Sequence, residues 1–480
     1  MPPLYLPTWN SLKTHSTPQW FKDAKFGIYT HWGIYCVPGR GPNATWYPYN
    51  MYRPGTEQYA YHCQVYGGPE KFGYKDFIPF FTAEKFDPDE WAELFKLSGA
   101  QYAGPVAEHH DGFSMWDSQV SEWNAARMGP RRDVVGELSR AIRSQGMRFL
   151  CAFHHAENWW FYPHWEAAYD TSDPAYSGLY GPTHNLAGLD GDRWFFNQER
   201  PSRLFLERWR AKLLEVCEHY QPDMLWFDFG LRGVPDQYKL EFLADYFNME
   251  RLWNKELVVT FKDYDLSPEA GVVDLELGRM TGLTHHAWIT DTTVDDGEGW
   301  GYLKDTAYKS PRTLVHYLVD NVSKNGHLLL NIGPKPDGTL PEQAVEILRG
   351  MGAWLKVNGE AIYGSTPWIA FGEGPAILQK SGAFNEKEIP AFSGRDVRFT
   401  LKDDCLYAIC LGWPGESITI ETLRQLWAPE IQSVRMLGVD QELEWTLSEQ
   451  GMTIRLPQQP PCEHAVTLRI QRSLERAGIF

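Results

Sequence analysis

The sequence predicts an α/β protein in which a (β/α)8-like TIM barrel over residues 1–364, the catalytic domain, precedes an antiparallel β-sandwich over residues 365–480. Three observations predict it. Short continuous apolar runs alternate with amphipathic helical segments as far as residue 332, the pattern of a parallel sheet covered by helices. The runs end, one after another, in His, Asp, Glu or Lys, at the place where closed β/α barrels build their active sites. Beyond Gly364 the helical signals give way to short runs with turns between them, the texture of a small β domain.

The elements follow in order. Residues 26–29 form the first run and lead to His31. The first punctuated helix has Asp87 as N-cap, Pro88 at the first helical position, Glu90 three residues after the cap, an apolar stripe of Trp91, Leu94 and Phe95, and Gly99 as its stop. Residues 102–107 then run to His109 and His110. A helix over 133–145 stops at Gly146, and the run 147–153 ends in His154 and His155. A longer helix over 202–219 precedes 224–227, which ends in Asp228. Residues 257–261 end in Lys262, 272–275 in Glu276, and 327–332 follow a helix through Leu314, Tyr317 and Leu318. Units of this kind predict a barrel of seven or eight strands. In the second domain the strand-like runs are 397–401, 406–411, 417–420 and 452–456. Taken singly, His31, His109, His110, Asp228 or Glu276 is an ordinary turn or cap residue; five at corresponding strand ends point to a site.

The chain has 480 residues, 43% hydrophobic and 22% charged, which suits one large domain with a smaller companion. Lys and Arg number 45 against 62 Asp and Glu, a net charge of −17 that repels phosphate backbones, so no nucleic-acid partner is expected. No stretch approaches a membrane span, so no membrane partner is expected either. The segment MPPLYLPTWNSL has neither a basic nor an apolar leader region, which fits a cytoplasmic chain or a processed secreted or periplasmic one. Seven Cys form no CxxC and read as buried small hydrophobes, and no cofactor or metal ion is expected. Asn43-Ala44-Thr45 reads as an incidental glycosylation triplet. Aromatic residues reach 15%, with 21 Trp and 24 Tyr, enough to line a carbohydrate site as well as a core.

Asp228 emerges between aromatics in Leu225-Trp226-Phe227-Asp228-Phe229-Gly230, a poor place to put a charge for structure alone. Glycoside hydrolysis needs two carboxyl groups, one ionised and one carrying a proton. Candidates for the second are Glu276, Asp291, Asp295, Asp296 and Glu298.

Several motifs stand in an order that resembles the glycoside hydrolase family 29 α-L-fucosidases over about residues 18–368. They include Trp20-Phe21 with Lys25-Phe26-Gly27 and His31-Trp32-Gly33, then Trp46-Tyr47, then His109-His110-Asp111-Gly112-Phe113 with Trp116-Asp117-Ser118. Arg132-Asp133-Val134-Val135-Gly136, Leu225-Trp226-Phe227-Asp228, Trp300-Gly301-Tyr302, Leu330-Asn331-Ile332-Gly333-Pro334 and the stretch from Trp354 to Tyr363 continue the series. The resemblance implies a retaining exo-hydrolase of terminal α-L-fucosyl linkages in glycans, acting on fucosylated oligosaccharides or glycoconjugates, with oligomeric state left open. It implies Asp228 as nucleophile, Glu276 as acid/base with Asp291 as second choice, and His31, Trp46, His109, His110 and Trp226 as sugar contacts. Departures from the family pattern are Thr45 in place of a Glu before Trp46, Glu108 in place of a Lys before the His pair, and His154-His155 with Glu157-Asn158-Trp159 in place of a tyrosine-serine pattern. The family's sugar-contacting Arg is not recognisable, and Lys262 stands nearby.

Two other readings compete. The pairs 109/110, 154/155 and 285/286 invite a metal-dependent hydrolase, but neighbours on an extended segment point opposite ways, so each pair is expected to offer one ligand. The alternative is a catalytically weak or silent, lectin-like fucose-binding protein that keeps the pocket. The C-terminal domain carries no binding motif and is expected simply to pack against the barrel.

Overall fold

The computed structural model describes residues 3–184, 200–262, 265–297, 299–388 and 391–473. Eight parallel strands close a barrel in sequence order: β1 (Phe26–Thr30), β2 (Tyr102–Glu108), β3 (Arg148–Phe153), β4 (Met224–Phe227), β5 (Val258–Phe261), β6 (Val272–Asp274), β7 (Trp288–Thr293) and β8 (Gly326–Ile332), with β8 paired back onto β1. The seven runs read from sequence are all strands, and β7 completes the ring. The segment Trp288-Ile289-Thr290-Asp291-Thr292-Thr293 hides its strand character behind hydroxyls and a carboxylate, yet all six residues are buried.

Alternation along each strand sorts side chains into two cores. Tyr29, Leu150, Met224, Trp226, Val258, Val272, Ile289 and Leu329 face inward and fill the lumen. Ile28, Phe149, Leu225, Phe227, Val259, Leu328 and Leu330 face outward against helices. The helices are α1 (Pro88–Leu97), α2 (Val134–Ser144), α3 (Arg203–Tyr220), α4 (Asp236–Trp253), α5 (Pro311–Ser323) and α6 (Glu342–Asn358). The Asp87 carboxylate caps α1 by accepting from the N–H groups of Asp89 and Glu90, and Asp133 caps α2 by accepting from Gly136 N–H. The ring of helices is incomplete: among the described residues, β5 and β6 are joined only through the 3-10 turn Pro268–Ala270, and no helix lies between β6 and β7.

The C-terminal domain has two antiparallel sheets. One has the order β13 (Ile431–Met436), β16 (Val466–Arg472), β11 (Cys405–Cys410), β10 (Val397–Lys402), β9 (Thr366–Glu373), and the other is β12 (Ser417–Ile420), β15 (Gly451–Arg455), β14 (Trp445–Ser448). Phe399, Leu406, Ala408, Leu468 and Ile470 from the first meet Ile418, Ile420, Met452 and Ile454 from the second in one core. The opposite face of the five-stranded sheet, through Tyr407, Ile409 and Leu411, joins the barrel's outer core.

Candidate active site

At the carboxyl ends of the barrel strands lies a cavity of about 170 Å³, lined by His31, Trp46, His109, His110, Trp226, Asp228 and Glu276. Every residue expected from the sequence to act on or hold the sugar therefore stands on one surface. His154, Lys262, Asp291, Tyr29, Trp300, Phe229, Asn43, Thr45 and Phe384 complete the lining. The volume is below the roughly 300–1,000 Å³ of pockets for drug-sized ligands and suits a single sugar ring.

The backbone holds these side chains in place. His31, His154 and Asp228 each follow a strand, and their N–H groups donate to the carbonyls of Ile332, Glu108 and Phe153 on neighbouring strands, at 3.1, 2.9 and 3.1 Å. Asp228 keeps the inward register of Met224 and Trp226, as Lys262 keeps that of Val258 and Thr260, and Glu276 that of Val272 and Asp274. After Asp228 the chain turns at Gly230 with φ +104°, where a Cβ would lie 2.1 Å from Glu157 Oε1.

The expectation that adjacent histidines diverge fails at His109 and His110. The register between β2 and β3 shifts between Val106 and Glu108, so strict alternation ends before the pair. Both rings line the cavity with centroids 4.3 Å apart. Glu108 instead turns out of the cavity, accepting from Lys212 Nζ at 2.5 Å and Ser114 Oγ at 2.7 Å. At the second pair His154 enters the cavity and His155 turns away to lie against Trp209, while His285 and His286 are exposed.

Asp228 is asymmetric. Oδ2 is 2.8 Å from His154 Nδ1 and 3.4 Å from His110 Nε2. Oδ1 accepts no hydrogen bond from the described residues, although Lys262 Nζ stands 3.2 Å away. Burial alone would raise this carboxyl, but Lys262, His154 and His110 outweigh it and hold it well below the usual carboxylate range. Lys262 also reaches Glu276 Oε2 at 2.6 Å and Asp291 Oδ2 at 3.3 Å. Burial would lower the ammonium's pKa, but Asp228, Asp291 and Glu276 raise it well above normal. Glu276 behaves oppositely to Asp228: burial pushes its carboxyl up to about 7 against the pull of Lys262, with the charges of Asp291 and Asp228 adding to the rise. Asp291 accepts from Tyr29 Oη at 2.8 Å beside Asp274, whose carboxyl burial drives well above normal and whose Oδ2 accepts from Trp226 Nε1 at 2.7 Å.

Burial lowers the pKa of His31 and His109 strongly, and that of His110 to about 3, so all three are neutral near pH 7. His31 Nδ1 is 2.8 Å from Asn331 Oδ1, and Asn331 Nδ2 donates to Thr293 Oγ1 and the Trp300 carbonyl. Two sets of donor atoms, His31/His109/His154 and His110/His154/Asp228, lie within 4.8 Å of one another, spacings that would admit an ion. A divalent cation on the second set would stand against the Lys262 ammonium. Asn43 Oδ1 accepts from Thr45 Oγ1 at 2.8 Å in the cavity wall, so a glycan on Asn43 would block the site. Asp295 binds Thr293 and the Gly299 N–H instead of entering the cavity, Asp296 is exposed, and Glu298 lies outside the described residues.

The α-L-fucosidase family model matches residues 2–360, and that of the α-L-fucosidase C-terminal domain matches residues 392–471. The chain belongs to the α-L-fucosidase family. It is 33% identical to the tissue α-L-fucosidase of Rattus norvegicus across 98% of this chain and 93% of the relative. It is 34% identical to the plasma α-L-fucosidase of Homo sapiens across 95% and 90%. Among solved structures, Thermotoga maritima α-fucosidase in complex with a mechanism-based inhibitor superposes with a TM-score of 0.77 at 31% identity, covering 98% of this chain and all of that one. The barrel with its C-terminal antiparallel sheets, the family and the hydrolase class read from the sequence are all borne out.

Proposed function

We propose that this α-L-fucosidase removes terminal α-L-fucosyl units from glycans with retention of configuration, with Asp228 as nucleophile and Glu276 as acid/base. The observation that carries this reading is the opposed pair: of the three carboxyl groups that touch the Lys262 ammonium, Asp228 is held ionised and Glu276 is pushed up to about 7. Contacts of 3.2 and 2.6 Å to the same nitrogen cap the separation of those oxygens below the roughly 6.5 Å at which inverting spacings begin.

With Oδ2 tethered by His154, Oδ1 of Asp228, which accepts no hydrogen bond from the described residues, is the oxygen that attacks the anomeric carbon. The bond to the leaving oxygen breaks as Glu276 gives that oxygen its proton, leaving a fucosyl ester on Asp228. Glu276, now ionised, takes a proton from water as the water attacks the same carbon, and Asp228 leaves as carboxylate. Neutral His31, His109 and His110 can each donate and accept, which suits sugar hydroxyls, and Trp46 and Trp226 offer apolar faces to the ring and its methyl group. Asp291 is a weaker acid candidate because its side chain is 1% exposed against 12% for Glu276 and already serves Tyr29 and Lys262. The Thermotoga maritima relative carries a mechanism-based inhibitor in one structure and fucose in another, in keeping with a fucose site.

Hydrolysis of 4-nitrophenyl α-L-fucoside followed by NMR is expected to release the α-anomer first; the β-anomer would overturn the reading. Asp228→Asn should lower turnover of that substrate by about 10³-fold or more. Glu276→Gln should fail mainly on substrates with poor leaving groups, and wild-type behaviour on both kinds would remove Glu276 from the role.

A further inference from the structure

A segment of the C-terminal domain fills the opening in the helix ring beside β6. Between β9 and β10 the chain leaves its own sheet and runs along the Glu276 loop. Arg279 and Gly382 exchange backbone hydrogen bonds of 3.1 and 3.0 Å, Phe384 N–H donates to the Glu276 carbonyl at 2.7 Å, and Glu386 N–H donates to the Leu277 carbonyl at 2.8 Å. The Glu386 carboxylate secures this seam through Lys309 at 2.9 Å and Thr292 Oγ1 at 2.9 Å.

The seam delivers Phe384 to the wall of the cavity that holds Asp228 and Glu276. Phe384 is 65% exposed, so core packing does not account for its ring. Its φ is +57°, a conformation that glycine adopts freely and a bulky residue keeps only where its surroundings impose it.

We propose that Phe384 is the platform of a leaving-group subsite, the aromatic face on which the sugar attached to fucose packs. The proposal rests on Glu276 being the acid. A cavity of about 170 Å³ takes one ring, so the rest of a glycan lies outside it. A proton donor must face the glycosidic oxygen, and Glu276, 12% exposed, is nearer solvent than Asp228 at 6% or Asp291 at 1%. The scissile bond therefore points toward Glu276, and what lies beyond it emerges over the residue bonded to Glu276's own backbone. The C–H face of a pyranose packs well on such a ring.

The test compares kcat/KM for an α-L-fucosyl galactoside with that for α-L-fucosyl fluoride, whose leaving group has no ring. Phe384→Gly removes the ring at a φ that glycine favours, so the fold is kept. The galactoside-to-fluoride ratio is expected to fall about three- to tenfold, and Phe384→Trp should hold it within about twofold of wild type. An unchanged ratio in Phe384→Gly, including a parallel loss on both substrates, overturns the proposal. Failure of the underlying reading shows separately: a Glu276→Gln enzyme that still hydrolyses the galactoside at the wild-type rate removes the acid, and the proposal with it.

Discussion

His154 is the residue whose removal should speak most clearly about Asp228. Its Nδ1 lies 2.8 Å from Oδ2 and helps hold the carboxyl below its normal range. In His154→Ala the carboxyl loses that support while its burial remains, so its pKa rises. Because Asp228 must be ionised to attack, the acidic limb of the kcat/KM profile should move to higher pH, with kcat about 10- to 100-fold lower. The alkaline limb should stay near pH 7, where Glu276 gives up its proton, and should weaken in Glu276→Gln. The pH-rate profiles of the two variants check both statements. The period of two along a strand carries His154 and Lys262 into the cavity as plainly as Asp228, so both were legible in the sequence at strand ends that the family pattern did not fill. Tyr29, Asp274 and Asn331 were not, since each lies within a strand and acquires its role from a partner far away in the chain. Phe384, in the segment between β9 and β10, was hidden because its partner, the Glu276 carbonyl, is far away in the chain.

Helix α5 presents the best test of an element. Its Asp320, fully buried, accepts from Arg398 Nε of β10 at 2.6 Å and from Arg279 Nη1 of the acid/base loop at 3.1 Å, and pairs with Lys324 at 2.9 Å. Burial would raise this carboxyl, but Arg398, Lys324 and Arg279 hold it well below the usual range. A carboxyl so depressed adds stability above its unfolded value of about 3.9 and loses it as pH falls below that value. Asp320→Asn should therefore cost about 3–5 kcal/mol at pH 7, read from denaturant midpoints, with the difference from wild type shrinking below pH 4. At this scale the legible elements were those with caps and apolar runs, α1 and α2 above all. Strand β7 escaped because its inward positions, Ile289, Asp291 and Thr293, are mostly polar. Helix α4 escaped because its apolar residues are scattered among Glu, Asp and Lys.

The barrel and the C-terminal sheets share buried material rather than a thin linker. Tyr407, Ile409, Leu411 and Ala465 belong to the same core as α5 and α6, and Tyr407 Oη donates to Glu360 at 2.6 Å. Calorimetry should record one cooperative transition for the whole molecule, and the loss of Asp320 should split or broaden it. The change of texture after Gly364 made the second domain legible, and we propose that point as the boundary. That it packs against the barrel was expected, but the seam with the Glu276 loop was not legible, because it is made of backbone hydrogen bonds and buried charges with no sequence period.

The missing helix beside β6 also makes the Glu276 loop depend on the part of the chain that is made last. A chain emerging from the ribosome completes β8 well before residues 366–473 exist, and until they do, the Glu276 loop lacks the strand partner at Gly382, the bond from Phe384 and the Arg398 side of the Asp320 cluster. The strand end that carries Asp228 is bonded within the barrel, to Phe153, whereas the loop that carries Glu276 takes its partners from the chain made last. A chain that stops at residue 364 is therefore expected to be inert as well as unstable, which its turnover of 4-nitrophenyl α-L-fucoside and its denaturant midpoint would show.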